Sequence, residues 1–223
     1  VNASITHKIL KGEKGAKRDV VLLNTAAALV ACQKASDLKE GIARAEQVPG
    51  QQIAWDMLLS FACSREDPTS GGRHKVLGSK ALMIPPQTST IASHLPRAVG
   101  LASAIERARR LGRRVPLPED AIVVCSFGDA SANHAVAMAG INGARYAFRR
   151  GNPTPILFLC EDNRVGISVS KPRRWIADSY SGLSQLEYFA VQSGDLVEIW
   201  ETVEKAIHVC RSRRKPVFLR IAT

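Results

Sequence analysis

Several features that mark common functional classes are scarce in this sequence of 223 residues. Aromatic residues make up 5% of the chain, and no helix-turn-helix, RNA-recognition or zinc-ligand pattern is present, which argues against nucleic-acid binding. No apolar run approaches the roughly 18 residues that a membrane span needs. The five cysteines are scattered, without the spacing of a metal site. We therefore expect a cytoplasmic protein with reduced thiols and neither a nucleic-acid nor a membrane partner.

Acidic residues are also scarce relative to basic ones. Asp and Glu number 20 against 31 Lys and Arg, which gives a formal net charge of +11. The basic residues cluster in four segments, at residues 107–114, 145–150, 171–174 and 211–215. A solvated basic surface is the favoured explanation; docking of an acidic partner and attraction of anionic substrates are the alternatives. Charge alone does not choose among them.

Hydrophobic residues make up 45% of the chain, enough to build a core, and two short apolar runs indicate how it is arranged. Residues 121–125 and 155–159 are bounded by turn residues, as buried strands of a parallel sheet are. The Ala-rich residues 132–148 between them predict a crossover helix. The fold class expected is α/β, an open and mostly parallel sheet with flanking helices.

Each of these two predicted strands is followed by a polar turn. Asp129 follows the first and Asn163 follows the second, and ligands of open α/β sheets bind at the carboxyl ends of the strands. A carboxylate, an amide oxygen and a backbone carbonyl suit Mg²⁺, and the N–H groups of Ala130 and Ser131 are placed to receive a phosphate. The first turn alone is equally compatible with an ordinary helix N-cap. The second turn favours the cofactor site.

The two turns resemble the thiamine-diphosphate signature, in which Gly-Asp-Gly opens the motif and Asn closes it. The surrounding sequence resembles the α-type E1 component of 2-oxoacid dehydrogenases, the pyruvate and branched-chain enzymes. Ala130 replaces the third motif glycine, and the interval between the turns is longer, with the additional residues at 149–153. The resemblance implies thiamine diphosphate with Mg²⁺ held by Asp129, Asn163 and the Val165 carbonyl. The residues implied around the diphosphate are Gly128, Ala130 and Ser131.

Residues 88–102 resemble a further stretch of branched-chain E1 α subunits, in which a Ser backbone and a bulky aliphatic residue hold the aminopyrimidine ring. By position these roles fall to Ser89 and Ile91. The alternative is that Ile91 is a core residue ahead of a helix that begins near Pro96. His94 stands where the family usually has Gln.

Residues 64–93 predict a long loop, and such loops commonly line a site. Arg73 and His74 follow a glycine pair, as do residues that enter the cofactor cleft in the family. Two interpretations are equally favoured: these residues face the substrate or the diphosphate, or they are ordinary exposed loop residues. His74 is the one candidate catalytic residue in the chain, since His134 is expected to pack in the core or to support a site residue rather than to act as a base.

The N-terminal residues differ from the rest. Residues 7–46 predict two helices, capped by Asp19 and Ser36. They resemble the C-terminal region of anthranilate phosphoribosyltransferase but lack that family's glycine-rich phosphoribosyl-diphosphate loop. Phosphoribosyl transfer is therefore a distant third alternative for function, after the E1-type activity and the non-catalytic fusion described below. A junction at residues 48–50 divides the chain into a helical segment, 1–49, and an E1 α-like domain, 50–223. We interpret the chain as a natural or engineered fusion.

The last predicted elements are a helix over residues 195–211 and a strand over 216–221. A His-containing catalytic loop follows this strand in the family, so we expect an E1 α-like domain truncated at its C-terminus. In the family, the acid that contacts the pyrimidine ring comes from a β-type partner. The resemblance thus implies a β-type E1 subunit, a lipoyl-bearing E2 acyltransferase and a 2-oxoacid substrate. The alternative is a non-catalytic fusion that keeps the fold without binding the cofactor.

Overall fold

The structure is a computed structural model that describes residue 14 and residues 36–47, 50–73, 75–79, 83–115, 117–166, 168–192 and 195–222. The chain divides into two compact units, Val1–Ser89 and Thr90–Thr223. The first helix predicted at the N-terminus, its Asp19 cap, His74 and positions 48 and 49 of the predicted junction lie outside the described residues. The division at residues 1–49 and 50–223 therefore stays a prediction.

The first unit contains two described helices, α1 (Leu38–Gln47) and α2 (Gly50–Phe61). The cap of α1 differs from the prediction. The carboxylate of Asp37 accepts a hydrogen bond from the Glu40 amide at 2.8 Å. Ser36 instead donates both its amide and its hydroxyl to the Glu40 carboxylate, each at 2.7 Å. Asp37 is thus the residue that satisfies a free N–H of the first turn, and the assignment of the cap to Ser36 was wrong.

A small hairpin interrupts the long loop predicted over residues 64–93. Strands β1 (Leu77–Ser79) and β2 (Ile84–Gln87) pair antiparallel, with an irregularity in the register. Two of the four residues of β2 are prolines, Pro85 and Pro86. Proline removes a ladder donor and is therefore a signal against a strand, although an exposed edge tolerates it. This is why the sequence pattern predicted a loop here.

The second unit is built on a four-stranded parallel sheet. Its strands are β3 (Val123–Gly128), β4 (Ile156–Asp162), β7 (Glu187–Val191) and β8 (Val217–Ala222), in the order β3-β4-β8-β7. Neighbouring strands are parallel throughout. A two-residue hairpin, β5 (Val165–Gly166) with β6 (Val169–Ser170), follows β4. The α/β class with a parallel sheet is confirmed.

Helices cover both faces of this sheet. They are α3 (His94–Arg110), α4 (Asp129–Ala132), α5 (Ala135–Arg149), α6 (Trp175–Tyr180) and α7 (Leu196–Arg213). One face packs against α3, α5 and α6, and the other packs against α7. The core residues contributed by the sheet include Phe127, Phe158 and Phe218 on the first face and Leu157, Val217 and Leu219 on the second.

The predicted crossover helix is broken into α4 and α5 at Asn133 and His134. The imidazole of His134 accepts a hydrogen bond from the Val136 amide at 3.2 Å and so caps α5. His134 is exposed, so the first of its two predicted roles, packing in the core, is wrong. Its side chain takes up one of the donors that a helix leaves unsatisfied at its N-terminus.

Two glycines of α5 provide a matched test of the packing between α3 and α5. A Cβ at Gly140 would approach the backbone nitrogen of Pro96 to 3.1 Å, whereas a Cβ at Gly143 would meet nothing within 4 Å. Ala gains roughly 0.5–1 kcal/mol of helix propensity at either site. We expect Gly143→Ala to be stabilised by that amount. Gly140→Ala should be about 1–2 kcal/mol less stable than Gly143→Ala in urea denaturation, because of overpacking. Equal stabilities would contradict the contact.

Candidate functional site

The strand register places the two predicted turns at the same edge of the sheet. Gly128, the last residue of β3, is level with Glu161 of β4. Asp129 begins α4 directly after β3, and Asn163 follows the end of β4. Helix α4 also contacts the start of the β5–β6 hairpin. The carboxylate and the amide that the sequence singled out therefore end neighbouring strands at the carboxyl edge.

Asp129 is buried, and a lysine neutralises it. Its side chain is 3% exposed, and its Oδ2 atom is in ion-pair contact with Nζ of Lys171, whose side chain is 13% exposed. Neither atom has a hydrogen-bond partner among the described residues. Lys171 follows β6, and the sequence indicates only that it belongs to a basic cluster. The β5–β6 hairpin brings Lys171 to Asp129, so no pattern of neighbouring residues predicts this contact.

The Asn163 turn is held by its own side chains. Oδ1 of Asn163 accepts a hydrogen bond from the Val165 amide at 2.8 Å, and Oδ1 of Asp162 accepts one from the Arg164 amide at 3.1 Å. Arg164 has φ of +64°, a conformation that non-glycine residues seldom adopt. The side chains of Asn163 and Val165 are exposed. The Asx turns thus fix the backbone that presents the predicted ligands.

Asp162 is itself fixed by a buried ion pair. Nε of Arg220 donates to Oδ2 of Asp162 at 2.6 Å, and the two side chains are 4% and 3% exposed. A second guanidinium nitrogen of Arg220 donates to the Gln192 side chain at 3.1 Å. Arg220 lies on β8, next to β4. The pair therefore ties the Asn163 turn to the centre of the sheet.

The third motif position does not require glycine in this fold. Ala130 lies within α4, and it is not among the residues with positive φ. Gly128 has an extended backbone, with φ of −78°, and a Cβ there would meet nothing within 4 Å. Ala130 and Ser131 are partly exposed. The departure from the Gly-Asp-Gly pattern therefore introduces no backbone strain.

Two aromatic residues of α6 anchor α4. The hydroxyl of Tyr180 donates to the carbonyl of Ala132, and the indole N–H of Trp175 donates to the amide oxygen of Asn133. The ring of Tyr180 stacks on that of Phe218, with centroids 4.5 Å apart. The sequence pattern gave α6 no role, because a six-residue helix is too short for a clear periodicity.

His94 and Ser126 form a second polar group near this edge. Nε2 of His94 lies 3.0 Å from the carbonyl oxygen of Ser126, and the Ser126 hydroxyl donates to the Glu161 carboxylate at 2.9 Å. Ser126 and Glu161 were not predicted as site residues. Ser126 is in register with Leu159, so its position is set by strand pairing rather than by any motif.

The remaining predicted residues are exposed where they are described. Ile91 is 53% exposed, so the alternative interpretation of Ile91 as a core residue is wrong. Arg73 is exposed as well. Ser89, also exposed, lines a cavity of about 600 Å³ within the first unit, formed by α2 and the β1–β2 hairpin. The ring-binding roles of Ser89 and Ile91 and the catalytic role of His74 stay predictions.

Two buried thiols of the sheet, Cys160 on β4 and Cys125 on β3, have raised pKa values and are therefore poor nucleophiles. The pKa of Cys160 is raised to about 12, mainly by burial and to a smaller extent by the neighbouring carboxylates of Asp162 and Asp129, which Lys171 and Arg220 partly offset. Burial alone raises the pKa of Cys125 to about 12. Both thiols stay protonated at neutral pH, as expected for reduced core cysteines. Cys63, by contrast, is exposed.

Several residues of the basic clusters are engaged within the protein. Arg214 pairs with Glu106, Arg211 with Asp120 and Lys215 with Glu187. The Lys215 ammonium holds the pKa of the Glu187 carboxyl below its usual range. These pairs account for part of the positive charge of the cluster at residues 211–215. The interpretation as a wholly solvated basic surface is therefore too simple for this segment.

The donor set of the site is oxygen-rich. No group of three or more His, Cys, Asp or Glu side chains that could hold a metal ion occurs in the described part of the chain. The predicted ligands are one carboxylate, one amide oxygen and one carbonyl oxygen, a set that suits a hard cation which keeps some of its waters.

None of the described helices has the length and apolar character required to cross a membrane.

These features define an α/β protein with a buried carboxylate and a fixed amide turn at the carboxyl edge of a parallel sheet. The family model "Dehydrogenase E1 component" matches residues 45–223, and the chain belongs to this family. The α subunit of 2-oxoisovalerate dehydrogenase from Bacillus subtilis (strain 168) is 25% identical over 171 residues. That alignment covers 74% of this chain and 48% of the relative, so the chain spans about half of that subunit.

A short stretch is similar to a second group of proteins. Anthranilate phosphoribosyltransferase from Caldanaerobacter subterraneus is 47% identical over 60 residues, or 27% of this chain and 18% of that protein. The enzyme from Desulfosudis oleivorans is 58% identical over 48 residues, or 21% and 14%. The predicted resemblances to the E1 α subunit and to anthranilate phosphoribosyltransferase are both confirmed.

Among solved structures, transketolase from Leishmania mexicana aligns with 82% of this chain and with 27% of the transketolase chain, at 15% identity and a TM-score of 0.48.

Proposed function

We propose that this chain is the thiamine-diphosphate- and Mg²⁺-binding part of a 2-oxoacid dehydrogenase E1 component of the α type. The observation that carries the proposal is the buried carboxylate of Asp129 at the end of β3, beside the Asn163 turn that ends β4. Family membership supports it. The proposed substrate is a 2-oxoacid of the branched-chain or pyruvate type, and the relative described as the α subunit of 2-oxoisovalerate dehydrogenase supports a 2-oxoacid.

The site residues of the second unit have defined tasks in this proposal. Asp129, Asn163 and the carbonyl of Val165 are the oxygen ligands for Mg²⁺, and Gly128, Ala130 and Ser131 lie around the diphosphate. When bound, thiamine diphosphate supplies the carbon nucleophile and electron sink for decarboxylation of a 2-oxoacid. The Asx turns at Asp162 and Asn163 hold the ligand-bearing backbone in place, so little order has to be gained when the cation binds.

A β-type E1 partner completes the site in this proposal. The family takes the acid that contacts the pyrimidine ring from that partner, and a lipoyl-bearing E2 acyltransferase accepts the product. Exposed apolar side chains of the second unit include Val136 and Met138 of α5 and, on the opposite face of the sheet, Val124 of β3.

The proposal predicts metal-dependent cofactor binding that requires Asp129. Thiamine diphosphate titrated into the full chain should release or absorb heat with Mg²⁺ present and none with EDTA. Asp129→Asn should weaken binding at least about 100-fold, since changes in the outer shell of a metal site alone cost about 10–100-fold.

The matched control is Asp178→Asn, which alters an exposed carboxylate of α6 paired with Arg174. It should bind as the unmodified chain does. Asp129→Asn leaves the largely buried side chain of Lys171 without its carboxylate, so a thermal melt has to show that this variant is folded. Equal affinity of Asp129→Asn and the unmodified chain would overturn the proposal.

A second candidate is a non-catalytic fusion that keeps the fold without the cofactor. The Lys171 ammonium already neutralises Asp129, and this observation favours it. The phosphoribosyltransferase-like stretch is consistent with a fused chain. This candidate predicts a cooperative melt and no heat with thiamine diphosphate, with or without Mg²⁺ and a β-type partner.

A further inference from the structure

We infer that the ammonium group of Lys171 is a tethered cation that competes with Mg²⁺ for Asp129 and is displaced when the metal binds. The inference rests on the proposed function, because it concerns the same site. It assigns Lys171 a role in controlling when the site accepts a cation.

The first support is the isolation of the ion pair. Both side chains are largely buried, and the contact joins Oδ2 of Asp129 to Nζ of Lys171. Neither of these atoms makes a hydrogen bond among the described residues. A buried carboxylate needs an opposite charge, and Lys171 supplies it. The ammonium thus takes the place at the Oδ2 atom that a bound cation would require.

The second support is the way the lysine is held. The amide of Lys171 donates to the carbonyl of Arg164 at 2.9 Å, which fixes its backbone beside the start of the β5–β6 hairpin. The aliphatic chain passes over Gly166, where a Cβ would lie 3.6 Å from Cδ of Lys171 and 3.8 Å from Cε. The backbone anchor and the hairpin surface together direct the ammonium group to Asp129.

Two cations at one carboxylate repel each other. Mg²⁺ demands near-octahedral oxygen ligands at close range, whereas the ammonium already occupies a lone pair of Oδ2 and neutralises the carboxylate. Metal alone therefore binds more weakly than it would to an Asp129 carboxylate without this partner. A diphosphate that arrives with the metal adds negative charge, which can pair with the released ammonium. The exchange thus couples metal binding to diphosphate binding.

Lys171→Met tests the inference directly, because methionine keeps an unbranched side chain and removes the charge. We expect Mn²⁺ without cofactor to bind the variant at least ten-fold more tightly than it binds the unmodified chain, as measured by electron paramagnetic resonance. The variant should melt at a lower temperature without metal, and Mg²⁺ should restore the lost part. Lys205→Met, an exposed lysine of α7, is the control and should leave both quantities unchanged.

Equal or weaker Mn²⁺ binding by a folded Lys171→Met variant would overturn the inference. If this variant does not fold, acetylation of the unmodified chain followed by mass spectrometry decides. Saturating Mg²⁺ should raise the labelling of Lys171 and leave that of Lys205 unchanged, and no rise at Lys171 would also overturn the inference. Neither experiment uses thiamine diphosphate. Tighter Mn²⁺ binding with no thiamine diphosphate binding would therefore reject the proposed function and leave the inference standing.

Discussion

Replacing Arg220 by methionine is expected to lower the free energy of unfolding by about 3–5 kcal/mol, the usual loss when one partner of a buried ion pair is removed. The substitution leaves the Asp162 carboxylate, which is 3% exposed, without the guanidinium 2.6 Å away. It also removes the donor to Gln192. Urea denaturation followed by circular dichroism measures the change.

The control for Arg220→Met is Glu201→Gln on α7. Glu201 pairs with Lys205, and both side chains are more than half exposed. Such a pair contributes about 0–0.5 kcal/mol, so this variant should be near the unmodified chain. A double variant, Arg220→Met with Asp162→Leu, removes the unpaired charge and should recover part of the stability. A loss below about 1 kcal/mol for Arg220→Met would contradict the buried pair.

The effect of Arg220→Met on the candidate site can be measured separately from its effect on stability. Asp162 also holds the Arg164 amide, so its carboxylate connects Arg220 to the turn that carries Asn163. At temperatures where the variant is still folded, Arg220→Met should therefore weaken metal-dependent cofactor binding, although Arg220 is not among the predicted ligands. The same titration of thiamine diphosphate with Mg²⁺ measures it.

Phe218→Ala is expected to cost about 3–5 kcal/mol, the range for deleting a buried phenylalanine side chain. Phe218 is 0% exposed and lies at the centre of an aromatic cluster. Its ring stacks on Tyr180 and Tyr188, with centroids 4.5 and 5.8 Å away, and meets Phe127 edge-on at 6.0 Å. Chemical denaturation gives the free energy of unfolding.

This cluster also supports the candidate site. Tyr180 stacks on Phe218 and donates its hydroxyl to Ala132, the last residue of the short helix that begins with Asp129. Phe218→Ala should thus loosen α4 as well as the core. Tyr146→Ala, which removes an exposed ring from α5, is the control and should change stability by no more than about 0.5 kcal/mol. If the two variants lost equal stability, the aromatic cluster would not have the role described.

Local signals were sufficient for the elements that frame the site. Strands β3 and β4 are apolar runs followed by turn residues, and parallel strands covered on both faces require such runs. Asp195 was expected to begin the last helix, and its side chain caps α7 by accepting from the Val197 amide at 2.8 Å. Strand β7 was missed. Tyr188–Val191 is an apolar run of only four residues, the short limit of the pattern that indicates a buried strand.

The sequence by itself determined the fold class, the family and the positions of Asp129 and Asn163 after two strands. It did so because secondary structure and turns depend on neighbouring residues. The tertiary structure alone decided the strand order β3-β4-β8-β7, the pairing of Lys171 with Asp129 and that of Arg220 with Asp162. These contacts join residues far apart in the chain, and a charged residue carries no local mark of the partner that folding brings to it.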